Sequence, residues 1–308
     1  MRISTAGMSR EDWLKARRQG IGGSEAAAVC GVNPYRSAMS VYLDKIGAEV
    51  QTEEPEAAER MYWGTALEDV VARHYAEVNG VKVRKVNYIL IDEARPFMLA
   101  NLDREVINSA ERWGYEGKTT DARNAAAWDG EAVPVPYVYQ VQHYMSVTGL
   151  RFFDVACLIG GNQYVQRRIE RDEELIRFIR DKEAEFWLMV ETRTPPAWDG
   201  SADGWRLLKE LHPTAEGGKE IALPETLEET VRQYMELERR RKYFADEAKE
   251  VEKLRDAYKQ EICAALGDAE RGYLPGFEVS YKTTLRKGYT TQDKEVRTFR
   301  IKAIEGEE

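Results

Sequence analysis

Cysteine and histidine are scarce in this chain. Its 308 residues include three cysteines and three histidines. Cys30, Cys157 and Cys263 lie far apart and none belongs to a CxxC pair. We therefore expect small buried residues rather than a disulfide framework or a zinc site. The histidines show no HExxH-like spacing, which argues against a histidine-based metal site.

Long hydrophobic runs are also absent. No stretch approaches the roughly 20 apolar residues that a membrane helix needs. The opening residues, MRISTAGMSREDW, contain no apolar core of the kind found in signal peptides. We therefore expect a cytoplasmic protein that does not enter a membrane.

The chain lacks an excess of positive charge, since its formal net charge is −9. This balance argues against a protein that coats nucleic acid without specificity. It is compatible with an enzyme that concentrates carboxylates around metal ions and contacts DNA locally. A hydrophobic content of 43% and a charged content of 32% are typical of a soluble globular protein.

What the sequence does contain is an alternation of helical and extended patterns. The spacing of apolar residues predicts, in order, a helix over 55–78, strands over 81–91, 97–107 and 115–120, a helix over 136–149, a hairpin over 151–170 and a helix over 172–193. This order predicts an α/β fold in which a central mixed β-sheet is flanked by helices.

The chain divides into three predicted segments. We assign residues 1–193 to the α/β domain, 194–219 to a linker rich in Pro, Gly and Asp, and 220–308 to a C-terminal extension. The extension contains a long charged helix over 225–266, followed by a small β region. A broken heptad-like apolar stripe along that helix leaves two interpretations open, packing on its own domain or a coiled coil.

Three carboxylates and a lysine fall on neighbouring predicted elements. Glu68 lies on the first helix, Asp103 on the second strand, and Glu116 and Lys118 on the third, within GYEGKTT. Residues two apart share one face of a strand, and a hairpin of the two strands brings Asp103 near Glu116. Carboxylates that meet in one place repel each other unless a cation holds them. Ligands that are all oxygen favour Mg²⁺ or Mn²⁺.

Such a site suits phosphodiester hydrolysis. Magnesium ions would neutralise the scissile phosphate and lower the pKa of a bound water, while Lys118 orients that water or stabilises charge in the transition state. The carbonyl oxygen of Gly117 is a further candidate metal ligand. The E-x-K pattern alone is weak evidence, because a surface ion pair also explains it and Glu247 and Lys249 repeat it on the long helix.

Separated motifs in a fixed order then identify a resemblance. They are WLKARRQGIGGSEAAAVCGVNPYRSAMSVYLDKIG (13–47), YWGTALEDVV (62–71), ANLDREV (100–106), YEGKTT (115–120), YVYQVQHYMSVTG (137–149) and TPPAWDGSADGWRLLKELHP (194–213). Together they resemble the YqaJ-type viral recombinases, relatives of phage lambda exonuclease within the D-(D/E)xK nuclease superfamily. The resemblance covers roughly residues 10–215 and implies a restriction-endonuclease-like core.

The resemblance also implies roles for the acidic residues and the lysine. Asp103 and Glu116 match the central metal ligands, and Glu68 matches the residue that completes the second metal site. Lys118 matches the catalytic lysine. The sequence departs from the family pattern at Gly117, where a branched apolar residue is usual, and this departure puts the local rigidity of the strand in doubt.

Further matches concern the glutamine helix and the N-terminal segment. Gln140 matches the glutamine that supports the lysine or the attacking water, with Gln142 as the weaker candidate. Arg17 and Ser24 match residues that bind a terminal 5′-phosphate, with Arg18 as an alternative to Arg17. A guanidinium and a hydroxyl beside glycine-loop amides are good phosphate ligands. Ser24 has a competing interpretation as a helix cap.

The resemblance implies a Mg²⁺-dependent DNA exonuclease, in which Mn²⁺ substitutes. It would degrade the 5′-ended strand of linear double-stranded DNA and leave a 3′ tail for a single-strand annealing protein in phage or prophage recombination. It also implies a homo-oligomeric ring around the DNA. Two alternatives stay open: an endonuclease on the same core, and a non-catalytic DNA-end-binding protein.

Overall fold

The computed structural model describes residues 1–48, 55–108, 111–214, 218–286 and 294–303. The chain separates into two compact units, residues 1–217 and 218–308. Within the described ranges, every helix is too short or too polar to cross a lipid bilayer.

The first unit contains alternating helices and strands. Its helices are α1 (Arg10–Arg18), α2 (Gly23–Val29), α3 (Ala38–Lys45), α4 (Pro55–Asn79), α5 (Val135–Thr148), α6 (Glu173–Thr192) and α7 (Ala202–Leu211). Its strands are β1 (Arg2–Ser4), β2 (Ile21–Gly22), β3 (Lys82–Lys85), β4 (Tyr88–Ile91), β5 (Met98–Ala100), β6 (Arg104–Ile107), β7 (Arg112–Thr120), β8 (Phe152–Ile159) and β9 (Gln163–Glu170).

A five-stranded sheet in the order β3-β6-β7-β8-β9 forms the centre of this unit. The β7–β8 pair is parallel and the other pairs are antiparallel. Strand β8 is buried on both faces: Phe153 and Val155 pack in the cluster that includes α5, whereas Phe152 and Ala156 pack in the cluster that includes α4. The predicted α/β class, with a mixed sheet between helices, is therefore confirmed.

Two of the predicted strands are wrong in their extent. The patterns over 81–91 and 97–107 each break into two strands, because β4 and β5 join a second sheet in the order β1-β4-β5-β2 while β3 and β6 stay in the central sheet. Val86 and Leu102, at the two crossings, pack against the α5 cluster. An alternating pattern continues through such a crossing, since it records which residues are apolar and not which strand is the partner.

A buried hydrogen bond between His143 and Glu183 holds α5 to α6. His143 and Glu183 are both fully buried, and His143 Nδ1 lies 2.7 Å from Glu183 Oε1. The other ring nitrogen, Nε2, lies 2.9 Å from the carbonyl oxygen of Leu99 at the middle of β5. These contacts fix the position of α5, the helix that contains Gln140.

The segment predicted as a linker, 194–219, contains α7. Leu207 is fully buried in the cluster that contains Val41 and Phe186. The carboxylate of Asp203 accepts hydrogen bonds from the backbone N–H and the hydroxyl of Ser37, at 2.9 and 2.8 Å. The helix is thus packed in the first unit, and the division between the units falls after residue 217.

The second unit matches the predicted long helix and small β region. Its helix α8 (Glu228–Leu266) is 39 residues long. Strands β10 (Arg271–Leu274), β11 (Phe277–Arg286) and β12 (Lys294–Ala303) form an antiparallel sheet in that order. The second E-x-K pattern, Glu247 and Lys249, lies on the exposed helix α8 and not on a strand.

Two glycines of β7 are expected to respond differently to alanine. A Cβ at Gly114 would lie 2.1 Å from the fully buried ring of Phe153, so Gly114→Ala should lower the free energy of unfolding by about 1 to 3 kcal/mol. A Cβ at Gly117 would lie 3.1 Å from the Tyr115 hydroxyl, which has no hydrogen-bond partner among the described residues. Gly117→Ala should therefore change stability by less than about 1 kcal/mol. Urea unfolding of both variants measures the difference, and equal effects would contradict this packing.

Candidate active site

Strand β7 presents different side chains to its two faces. Trp113 and Tyr115 pack in the α4 cluster, so the alternation directs Glu116 and Lys118 toward α5. Lys118 Nζ donates to Glu116 Oε1 at 2.7 Å and to Gln140 Oε1 at 3.0 Å. Gln140 Nε2 donates to the same Glu116 oxygen at 2.6 Å. The carboxylate, the ammonium and the amide thus form a closed triangle.

Tyr144 extends this triangle along α5. One helical turn after Gln140, its hydroxyl accepts a hydrogen bond from Gln140 Nε2 at 3.0 Å. Its ring also packs tightly on α2, since a Cβ at Gly23 would lie 2.4 Å from ring atom Cε1. The absence of a side chain at Gly23 therefore has a steric explanation, because it lets α2 approach α5. Sequence reasoning missed Tyr144, although its i+4 spacing from Gln140 was visible.

Asp103 lies in the crossing just before β6 and reaches the same strand. Its Oδ2 accepts a hydrogen bond from the backbone N–H of Gly117 at 2.9 Å. Burial raises the pKa of Asp103 well above its usual range, and the charges of Glu116 and Glu68 raise it further. Burial likewise raises the pKa of Glu116, against the opposing effect of Lys118. The buried carboxyl group of Glu116 and the half-buried carboxyl group of Asp103 therefore share a site that favours a proton or a cation.

Glu68 is held by an arginine. Arg104, which is 4% exposed, donates from Nη1 to Glu68 Oε1 at 2.6 Å and to the carbonyl oxygen of Asp103 at 2.6 Å. Its other terminal nitrogen pairs with Asp69. Across the described part of the chain, no three His, Cys, Asp or Glu residues are close enough to hold one ion. The metal-binding role of Glu68 stays a prediction, and it requires Glu68 to leave Arg104.

The carboxylates fit a hard divalent cation in their chemistry. Glu116 Oε2 is buried and accepts no hydrogen bond among the described residues, which is a costly state for a carboxylate oxygen. Asp103 lies close enough to Glu116 for the charge of Glu116 to raise its proton affinity. Oxygen donors of this kind suit Mg²⁺ or Mn²⁺. Asp103 and Glu116 would hold the ion, with Glu68 and the Gly117 carbonyl as the further ligands proposed.

Arg17 and Ser24 meet at the N-terminus of α2. Arg17 Nη2 donates to Ser24 Oγ at 3.0 Å, and the guanidinium lies 4.8 Å from the centroid of the Trp13 ring. The alternative residue Arg18 instead pairs with Asp44 at 3.2 Å. The structure thus brings Arg17, and not Arg18, to the serine.

A buried carboxylate beneath this pair collects positive charge. Glu25 is 2% exposed and lies 2.8 Å from Lys45 Nζ, 3.7 Å from Arg36 and 3.9 Å from Arg17. Burial raises the pKa of Glu25, but these three cations outweigh it and hold that pKa below its usual value. Three cations around one anion leave a net positive pocket beside the Ser24 hydroxyl, as an anion site requires. Sequence reasoning missed Lys45 and Arg36, because they come from α3 and the loop before it.

The weaker glutamine candidate has another role. Gln142 Nε2 donates to the carbonyl oxygen of Glu170 at 2.7 Å, and Gln142 Oε1 accepts from the backbone N–H of Asp172 at 3.0 Å. Gln142 therefore fixes the link between β9 and α6, and Gln140 is the glutamine that contacts Lys118.

The chain is similar to known proteins over most of its length. Residues 12–151 match the family described as the YqaJ-like viral recombinase domain. The chain is 36% identical to the protein YqaJ of Bacillus subtilis (strain 168) over 289 residues, which cover 92% of this chain and 87% of that protein. The chain belongs to the YqaJ family. All seven side chains predicted for the site, from Arg17 to Gln140, lie inside the matched range.

Three solved structures with partial similarity to this chain are described as exonuclease structures. The crystal structure of LHK-Exo in complex with dAMP is 21% identical, covers 60% of this chain and 94% of its own, and gives a TM-score of 0.48. The alkaline exonuclease LHK-Exo from Laribacter hongkongensis has the same identity and coverage and a TM-score of 0.46. A phage-related exonuclease from Haemophilus somnus 129PT is 12% identical to this chain. The match covers 56% of this chain and 94% of that protein, with a TM-score of 0.42.

Removing the charge of Asp103 is expected to stabilise the metal-free protein. Because the folded-state pKa of Asp103 is raised, stability falls as pH rises from the usual carboxyl range through that pKa. Asp103→Asn should therefore raise the free energy of unfolding at about pH 8 in EDTA by on the order of 1 kcal/mol. The difference in this free energy between the variant and the wild type should become smaller near pH 4. Urea unfolding at the two pH values measures it.

Asp69→Asn is the matched control for this change. Asp69 is exposed, and hydrogen bonding to Lys85 together with the neighbouring cations lowers its pKa. Neutralising Asp69 should not stabilise the protein at either pH. A stabilisation as large as that of Asp103→Asn would contradict the burial argument.

Proposed function

We propose that this YqaJ-family protein is a Mg²⁺-dependent DNA exonuclease. It hydrolyses the 5′-ended strand of linear double-stranded DNA and leaves 3′ single-stranded tails. The observation that supports this most directly is the buried carboxylate oxygen of Glu116 that lacks a hydrogen-bond partner among the described residues, beside Asp103 and the Lys118–Gln140 pair. Family membership and the positive pocket at Arg17 and Ser24 support the choice of DNA as substrate.

When bound, Mg²⁺, or Mn²⁺ in its place, supplies positive charge to the scissile phosphate and lowers the pKa of the attacking water. Asp103 and Glu116 would hold the ion, and Glu68 would complete the site if it left its ion pair with Arg104. Mutual repulsion of the carboxylates gives the site its affinity for a cation, because the ion removes the cost of burying them.

Lys118 acts as a charged donor in this proposal. Burial alone would lower its pKa, but the charges of Glu116 and Asp103 raise that pKa above the usual value. An ammonium with a raised pKa is a poor general base and a good stabiliser of negative charge that develops in the transition state. Gln140 positions it through the 3.0 Å hydrogen bond, and the Tyr137 ring lies 4.8 Å from Nζ.

The pocket at Arg17 and Ser24 would bind the terminal 5′-phosphate. The tight Gly23–Tyr144 contact joins the helix of this pocket to the helix of Gln140, so the two sites have a fixed separation. A fixed separation explains cleavage at a set distance from a DNA end, because a phosphate bound at one site aligns the next phosphodiester at the other.

Assembly and partners complete the proposal. A homo-oligomeric ring that encloses the DNA reconciles the net charge of −9 with DNA binding, since its inner wall can be basic while its outside is acidic. A single-strand annealing protein would take up the 3′ tail. Membership of a viral recombinase family supports a phage or prophage origin and activity in the bacterial cytoplasm.

The catalytic proposal is tested with purified protein on linear duplex DNA beside covalently closed circles. We expect Mg²⁺-dependent release of nucleotides from the linear DNA alone. Lys118→Ala should lower the rate by roughly 100-fold or more. Cleavage of the closed circles would identify an endonuclease on the same core. Binding of ends with no nucleotide release in either Mg²⁺ or Mn²⁺ would identify a non-catalytic end-binding protein.

The phosphate pocket is tested with adjacent arginines. Arg17→Ala should reduce the preference for 5′-phosphorylated over 5′-hydroxyl ends by about tenfold, because a charge-assisted hydrogen bond is lost. Arg18→Ala, whose side chain pairs with Asp44, is the matched control and should keep the preference. If the two variants keep or lose the preference equally, the assignment of Arg17 is wrong.

A further inference from the structure

The long helix α8 exposes an apolar stripe. None of its 39 residues is buried. Tyr234, Leu237, Phe244, Val251 and Tyr258 keep between 59% and 67% of their surface exposed. A helix with a regular apolar stripe normally covers it with another element, and the described residues of the second unit provide none.

The stripe has the spacing of a coiled-coil seam. Tyr234, Arg241, Ala248, Arg255 and Ile262 follow one another at intervals of seven residues. Leu237, Phe244, Val251 and Tyr258 form a second series, three residues later in each heptad. These two series are the a and d positions of a seam that buries itself against a partner helix.

The charges in and beside the seam exclude a parallel pair of identical helices. A parallel pair would place Arg241 against its own copy in the core, and Arg255 likewise. It would also place Glu247 of each helix beside Glu252 of the other, at the flanking positions. Each of these contacts brings like charges together, which is destabilising.

An antiparallel pair of the same helices is complementary. With its centre between Lys242 and Tyr243, it places each Arg241 over the Phe244 ring of the other copy, a favourable cation–π contact. Outside the core it places Arg240 of each helix beside Glu247 of the other. We propose that α8 pairs antiparallel with α8 of a second copy of this chain.

The surface available is sufficient for a stable pair. In this register the two copies of α8 overlap from Glu228 to Ala257, about 45 Å of helix, and Tyr258 lies opposite Leu227 just before the helix. Each copy brings three aromatic side chains, Tyr234, Phe244 and Tyr258, and each of these can bury roughly 150 Å² or more. With the aliphatic residues between them they approach the roughly 800 Å² per partner of a standard interface.

Adjacent aromatic residues provide the first test. Phe244 lies in the seam and Tyr243 outside it, yet their exposures are nearly equal at 60% and 61%. In sedimentation and light scattering of the full chain, Phe244→Glu should halve the particle mass, whatever assembly the first units form, and Tyr243→Glu should leave it unchanged. A wild-type monomer at all concentrations, or equal effects of the two variants, would overturn the pairing.

A charge exchange tests the antiparallel orientation. Arg240→Glu should weaken the pair several-fold, because it sets a carboxylate at position 240 of each copy against Glu247 of the other. The double variant Arg240→Glu/Glu247→Arg should restore the wild-type association constant. If the second substitution gives no recovery, the orientation is wrong. Nuclease activity of Phe244→Glu on linear DNA is measured separately, so this proposal and the catalytic one fail independently.

Discussion

The repulsion between the buried carboxylate of Glu116 and the half-buried carboxylate of Asp103 is the constraint on which the first unit depends. Glu116 is 3% exposed, and Asp103 touches the same strand through the Gly117 amide. Three neighbouring groups reduce this repulsion by donating hydrogen bonds to the carboxylates. The Lys118 ammonium and the Gln140 amide donate to Glu116, and the Arg104 guanidinium donates to the neighbouring Glu68. Such a site is electrostatically expensive, so the rest of the unit must hold it rigidly.

That rigidity comes from α5, which is fixed on several sides. The His143–Glu183 pair attaches it to α6, and the Tyr144 ring packs against Gly23 of α2. Because both contacts fall within about one helical turn of Gln140, the glutamine has little freedom to leave Lys118. The same packing connects the triangle of Glu116, Lys118 and Gln140 to the pocket of Arg17 and Ser24, so the proposed chemistry and the proposed end recognition share one support.

Much of this arrangement could be predicted from the sequence, and the limits have physical causes. Local hydrophobic patterns predict the helix and the strands on which the site residues lie. The sequence alone therefore gives the order of Glu68, Asp103, Glu116 and Lys118 along these elements. Arg104 was missed because its role depends on which side chain lies opposite it. The split of the strands at Val86 and Leu102 was missed because an alternating pattern does not reveal a change of partner. At Gly117, the unusual residue of the motif, a Cβ would lie 3.1 Å from the Tyr115 hydroxyl, so this hydroxyl, which no described residue binds, would have to shift slightly.

The alternation along β7 has a consequence for how this protein can change over generations. Residues 113 and 115 face hydrophobic packing, while residues 116 and 118 face the charged site, so two different physical requirements alternate along one strand. A substitution at a packing residue is limited by the space around the side chain. A substitution at residue 116 or 118 is limited by the charges in the site. Residues 116 and 118 can therefore change without altering the hydrophobic packing, and residues 113 and 115 can change without altering the charged site.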